Sequence, residues 1–400
     1  MSLLTHYPKS FAVLFIFIFP VLVSAQVVSQ NSLSDTTGRN LAVEAMYQDG
    51  YVFATNPFLK GVNANAVRIN DFHAFSFKLS LQTTGKKQWE QSYKYPQYGI
   101  GLYVADFYNP REIGLPVAVY GFFNAPFHRW NKLTFNYEIG FGATFHWKSF
   151  NPITNQYNVA IGSGESFLID AGLNLQYLIS KRIELAAGYS LTHFSNGALK
   201  KPNFGINTLA PKISVKYNFY EKPDFIKHEI PVFAPKNEWL ITAHAGLKNV
   251  IFDSANIALL EKYEGLYFPV FGISTTLNHQ VSNKSKIGLG FTLCYNGAVN
   301  AQATVDANEI VAAKGNFGDK ILLSIYPSYE LVIYKASVTL QPAFYLYRKK
   351  LLNQSPVFHQ RIGLKYHITD RIFVGITLVD YSFHVSDFIE WNVGYRIKWN

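Results

Sequence analysis

Residues 389–399 read IEWNVGYRIKW, and the alternation in that stretch decides the fold class. Ile389, Trp391, Val393, Tyr395, Ile397 and Trp399 fall on one parity; Glu390, Asn392, Gly394, Arg396 and Lys398 fall on the other. A β-strand sends successive side chains to opposite faces, so this segment has one apolar face and one polar face. A soluble sandwich also alternates, but its outward face is rich in charge and its turns are short at both ends. Here only 16% of the residues are charged and another 16% are aromatic. Connections alternate in length, with tight turns such as Ser180-Lys181 and Thr369-Asp370 at one end and longer polar loops at the other. After the first 26 residues no apolar run is long enough for a membrane helix. A chain that presents an apolar face to lipid without such helices satisfies its backbone only by closing its strands. The expected class is all-β, an antiparallel outer-membrane β-barrel.

The amino terminus agrees with that destination. MSLLTHYPKS precedes the apolar run FAVLFIFIFPVLV, and Val23-Ser24-Ala25 forms a small-residue cleavage site. Residues 1–25 therefore read as a signal peptide, with the mature chain starting at Gln26 and bound for the outer membrane of a Gram-negative cell. Pro20 interrupts the run, which is short for a retained span. The single Cys294 makes no internal disulfide.

About sixteen strand-like segments are counted, eight before Phe219 and eight from residue 240 to 400. YEKPDFIKHEIPVFAPKNEW (220–239), with three prolines, reads as a linker between units 26–219 and 240–400. QYLISKRIEL (176–185) resembles KYHITDRIFV (365–374), and YGIGLYV (98–104) resembles KIGLGFT (286–292). The expectation is a tandem duplication of an eight-stranded unit, closed as two small barrels or as one wide barrel.

LTHFSNGALKKPNFGIN (191–207) holds the candidate chemistry. The strand from Ile183 carries Leu185, Tyr189, Leu191, His193 and Ser195 on its apolar parity, with Glu184, Ser190 and Thr192 on the other. His193 and Ser195 are thus expected on the outer wall. Ten residues tilted by about 45° climb roughly 23 Å, which puts the pair at the outer-leaflet interface. If the following loop is symmetric about Lys200, Asn207 stands across from His193 on the same face. A turn at Ser180-Lys181 places Phe167 opposite Ser195, with Glu165 just above as a second acid candidate. His384-Val385-Ser386 is a faint echo in the second half, expected to be inert.

His-x-Ser-Asn-Gly followed by Pro-Asn-x-Gly-Ile resembles the lipid A 3-O-deacylase (PagL-type) family of outer-membrane barrels, most closely over residues 130–219. The resemblance implies an outward-facing serine esterase that removes an ester-linked acyl chain from the lipid A of lipopolysaccharide. It implies His193 as general base, Ser195 as nucleophile and Asn196 as oxyanion donor. The family's glutamate falls on Asn207, a departure that keeps orientation of the imidazole but removes the charge beside it. Loss of that charge with the wrong tautomer costs about 10⁴ in serine proteases. Glu165 is the candidate to restore it.

The formal charge is +10, and Lys200 and Lys201 sit in the candidate loop, suited to lipid A phosphates. Dispersed basic residues and the compartment argue against nucleic acid. No His/Cys spacing suits a metal, and no cofactor motif occurs. The competing expectation is a non-catalytic structural or transport barrel derived from the same family. The oligomeric state is left open.

Overall fold

The computed structural model describes residues 40–221, 223–227, 233–250, 257–263, 265–307, 315–381 and 385–399. The signal-peptide residues and His384 lie outside them. The first eight strands are β1 (Leu41–Phe53), β2 (Asp71–Gln82), β3 (Gln97–Asp106), β4 (Gly114–Arg129), β5 (Leu133–Trp147), β6 (Ser166–Leu178), β7 (Ile183–Ser195) and β8 (Ile206–Asn218). The next eight are β9 (Asn237–Lys248), β10 (Phe268–Gln280), β11 (Ser285–Asn296), β12 (Ile321–Ile333), β13 (Ala336–Tyr347), β14 (Phe358–His367), β15 (Ile372–Tyr381) and β16 (Val385–Trp399).

Each set closes on itself. β8 returns to β1, with Asn218 against Ala42 and Asn207 against Phe53. β16 returns to β9, with Trp399 against Asn237. The two closed antiparallel barrels of eight strands decide for small barrels over one wide one. The repeated segments occupy equivalent places: YGIGLYV lies in β3 and KIGLGFT in β11, the third strand of each barrel. QYLISKRIEL spans the β6–β7 turn and KYHITDRIFV the β14–β15 turn. Among the described residues no helix is long and apolar enough to cross a membrane.

Several details differ from the alternation alone. The segment before β6 is a loop up to Glu165, because Asn158 draws the backbone out of the ladder: its Oδ1 accepts from the Ala160 and Ile161 N–H groups, each at 3.2 Å. The connection from β2 to β3 is no tight turn and carries a short helix, α1 (Gln88–Ser92). Residues 223–227 fold back onto it, with Ile226 N–H donating to Thr84 O at 2.8 Å and Phe225 stacked on Tyr95 at 4.3 Å.

Parity sorts the walls of the first barrel. Leu185, Tyr189 and Leu191 are exposed on β7, whereas Glu184, Ser190 and Thr192 are buried in the lumen. The lumen is filled. Toward the ends of the strands that carry Phe194 and Ile206, these two pack with Phe58, Leu59, Phe107 and Trp147 into an apolar core. Below it Glu138 is bonded by Lys78 at 2.7 Å and Lys212 at 3.3 Å, and Lys216 pairs with Glu184 at 3.2 Å. Buried charges are tolerated only when so paired. The second barrel uses the same device: Lys286 pairs with Glu238 at 2.8 Å, Lys365 with Glu330 at 2.6 Å, and Arg361 with Glu390 at 2.6 Å.

Candidate active site

β7 ends in His193-Phe194-Ser195. Phe194 turns inward and is fully buried against Phe107 and Trp147, so the His and the Ser flanking it both face outward. They are two residues apart on one face, about 6.8 Å along the strand. The apolar anchor inside therefore sets the aim of the polar pair outside.

His193 lies directly opposite Asn207 in the β7–β8 ladder. Its Nδ1–H donates to Asn207 Oδ1 at 2.7 Å, which leaves Nε2 as the basic nitrogen. Gly205, at φ +73°, backs the ring: a Cβ there would stand 2.9 Å from His193 Cε1 and 3.6 Å from Nε2. That glycine is fixed at both its N–H and its carbonyl. Its N–H donates to Ala160 O at 2.9 Å, its carbonyl accepts from Asn56 Nδ2 at 3.1 Å, and Asn56 Oδ1 in turn accepts from Leu59 N–H at 3.2 Å.

Ser195, 6% exposed, stands opposite Phe167, which stacks on Phe141 at 5.8 Å. Asn203 Nδ2 donates to Ser195 Oγ at 2.7 Å, and a hydroxyl that accepts there keeps its own hydrogen for donation elsewhere. Asn203 Oδ1 accepts from Asn196 N–H at 3.2 Å, so one carboxamide clamps the nucleophile and the residue after it. Asn196 is buried, and its Nδ2 donates to Ser163 Oγ at 2.9 Å. Ser163 Oγ donates to Glu165 O at 2.5 Å.

The structure thus gathers His193, Ser195, Asn196 and Asn207 on adjoining positions. It leaves Glu165 apart: that residue precedes β6, is exposed, and among the described residues its carboxylate has no hydrogen bond or ion pair. Lys200 and Lys201 lie in the β7–β8 connection, Lys200 exposed and Lys201 half-buried. Ser386 is the second residue of β16, whereas Ser195 is the last of β7, so the echo in the second half has no equivalent place in its barrel. Sequence reasoning assigned no role to Asn203, Gly205, Asn56 or Ser163. The first two were visible in the Pro-Asn-x-Gly string; Asn56 and Ser163 come from loops whose approach no local pattern announces. Among the described residues no cluster of three His, Cys, Asp or Glu side chains is placed to hold a metal ion.

Comparison with known proteins gives two family matches. Residues 74–217 match the lipid A 3-O-deacylase (PagL) model, and residues 237–399 match the acyloxyacyl hydrolase, C-terminal domain model. No curated protein matches the chain. Among solved structures, the outer membrane enzyme PagL aligns at 18% identity over 43% of this chain and 97% of its own, with a TM-score of 0.27. A triple mutant of the Rhodopseudomonas blastica porin aligns at 10% identity over 90% of this chain and 99% of its own, with a TM-score of 0.18.

Proposed function

Residues 74–217 belong to the lipid A 3-O-deacylase (PagL) family and residues 237–399 to the acyloxyacyl hydrolase C-terminal domain family, and on that premise we propose that this outer-membrane protein is a serine esterase cleaving an ester-linked acyl chain from lipid A. The observation that carries the reading is the His193–Asn207 hydrogen bond beside an outward-facing Ser195 clamped by Asn203. His193 Nε2 takes the hydroxyl proton as Ser195 Oγ attacks the ester carbonyl. The oxyanion forms next to Asn203, whose Nδ2 reaches Ser195 Oγ and carries a second hydrogen, and next to Asn196, whose N–H turns to it from Asn203 Oδ1. Collapse breaks the bond to the sugar oxygen, which leaves with the proton from His193. Water, deprotonated by the same imidazole, then frees the fatty acid and restores the serine.

Asn207 holds the ring in the productive tautomer without supplying charge. Lys200 and Lys201 meet the phosphates of the headgroup in this reading. The division into a signal peptide (1–25), a catalytic unit (26–219), a linker (220–239) and a second unit without the site (240–400) belongs to the same proposal. The filled lumens weigh against a channel, since each is packed with apolar or paired polar side chains. A lipid-tailed fluorophosphonate, which phosphonylates activated serines, should label the purified protein on the peptide containing Ser195. His193→Ala should abolish that labelling, and equal labelling of Ser195→Ala would refute the assignment.

A further inference from the structure

The connection from β1 to β2 brings a second feature to the same wall. Its first part carries Asn56, which holds Gly205 against the site. Its last part carries Arg68, whose Nη2 donates to the Tyr51 hydroxyl at 2.6 Å. Tyr51 is an outward residue of β1, 40% exposed and edge-on to Phe53 at 5.6 Å. Phe53 stands opposite Asn207, and Tyr51 stands opposite Leu209 one outward pair below. Arg68 is therefore tied to the aromatic belt on β1, two strands across from β7, a lateral separation of about 10 Å at the usual strand spacing.

This placement is built rather than incidental. Phe58 and Leu59 sink the middle of the connection into the barrel core. Asn63 Nδ2 donates to Phe58 O at 3.1 Å and to Val67 O at 2.6 Å, fixing the backbone just before Arg68. Ala64 N–H donates to Glu112 Oε1 at 2.9 Å. Among the described residues the Tyr51 hydroxyl is the only hydrogen-bond or ionic partner of Arg68. Asp71 faces Tyr51 across the ladder, but among the described residues it makes no ion pair with Arg68. A guanidinium held at headgroup depth without a protein carboxylate needs its counter-ion from elsewhere, and its planar fork matches a phosphate.

We propose that Arg68, positioned by Tyr51, binds a phosphate of the lipid A headgroup on the β1 side of the site and so helps to set the register of the substrate's esters over Ser195. The inference rests on the lipid A reading, and its test is kept free of catalysis. In the full-length Ser195→Ala protein in detergent, diphosphoryl lipid A should bind at least tenfold more weakly when Arg68→Ala is added. Arg68→Lys, a point charge without the fork, should recover part of the affinity, and Tyr51→Phe should lose part of it. Lipid A stripped of its phosphates should bind the parent and the Arg68→Ala form alike. Unchanged affinity for the diphosphoryl form, or an equal loss toward the stripped form, overturns the proposal. An equal loss toward phosphatidylglycerol overturns its restriction to the glycolipid. Because Ser195 is absent throughout, failure to find hydrolysis elsewhere refutes the esterase reading and leaves this result standing on its own.

Discussion

Gly205 shows how one missing atom shapes the site. Its positive φ admits a larger residue only with strain, and any Cβ would press on the His193 ring. Gly205→Ala should therefore leave the barrel folded, read by its gel mobility shift on heating, while lowering acyl release on the order of 100-fold through misplacement of the base. The Asn207 position carries the companion argument. The bond from Nδ1 already fixes the tautomer, so the element absent is charge next to a transient imidazolium. Asn207→Glu should raise the turnover of lipid A by about tenfold or more, given the scale of that effect in serine hydrolases. Glu165→Gln should leave turnover unchanged, because its exposed carboxylate has no bond to the site among the described residues. A large loss on Glu165→Gln would restore it as the supporting acid.

At the scale of elements, the strand β7 does two tasks with one alternation. Its inward residues lock into the lumen, Ser190 and Thr192 bonding Asp170 at 2.8 and 2.7 Å, and this registers the outward residues at lipid depth. In a protein whose native Cys294 has been replaced by serine, Tyr189→Cys should react with a membrane-soluble maleimide and resist a water-soluble one. Ser190→Cys should be shielded from the membrane-soluble reagent, and the opposite pattern would turn the site away from lipid. Much of this was legible beforehand, since period-two alternation and a tight turn determine register. Phe167 opposite Ser195 follows from counting outward from the Ser180-Lys181 turn, and Asn207 opposite His193 from taking the longer β7–β8 loop as symmetric about Lys200. The loops were not legible in the same way. Asn158, Ser163 and Asn56 act through backbone contacts distant in sequence, and such contacts leave no periodic trace.

For the molecule as a whole, internal similarity announced two equivalent units, but only the return of β8 to β1 and of β16 to β9 decides how they close. Closure at eight strands gives an interior that side chains can fill, and here apolar packing and ion pairs occupy it. In the proposed esterase an outward Ser195 follows from this, since the esters of a lipid substrate lie in the membrane around the barrel. The mass spectrum of lipid A from cells making the wild-type protein or Ser195→Ala, at equal outer-membrane levels, tests this most directly. The wild type should yield a lipid A species lighter by one ester-linked acyl chain, missing from the Ser195→Ala cells. Identical spectra from two correctly folded proteins would contradict the account.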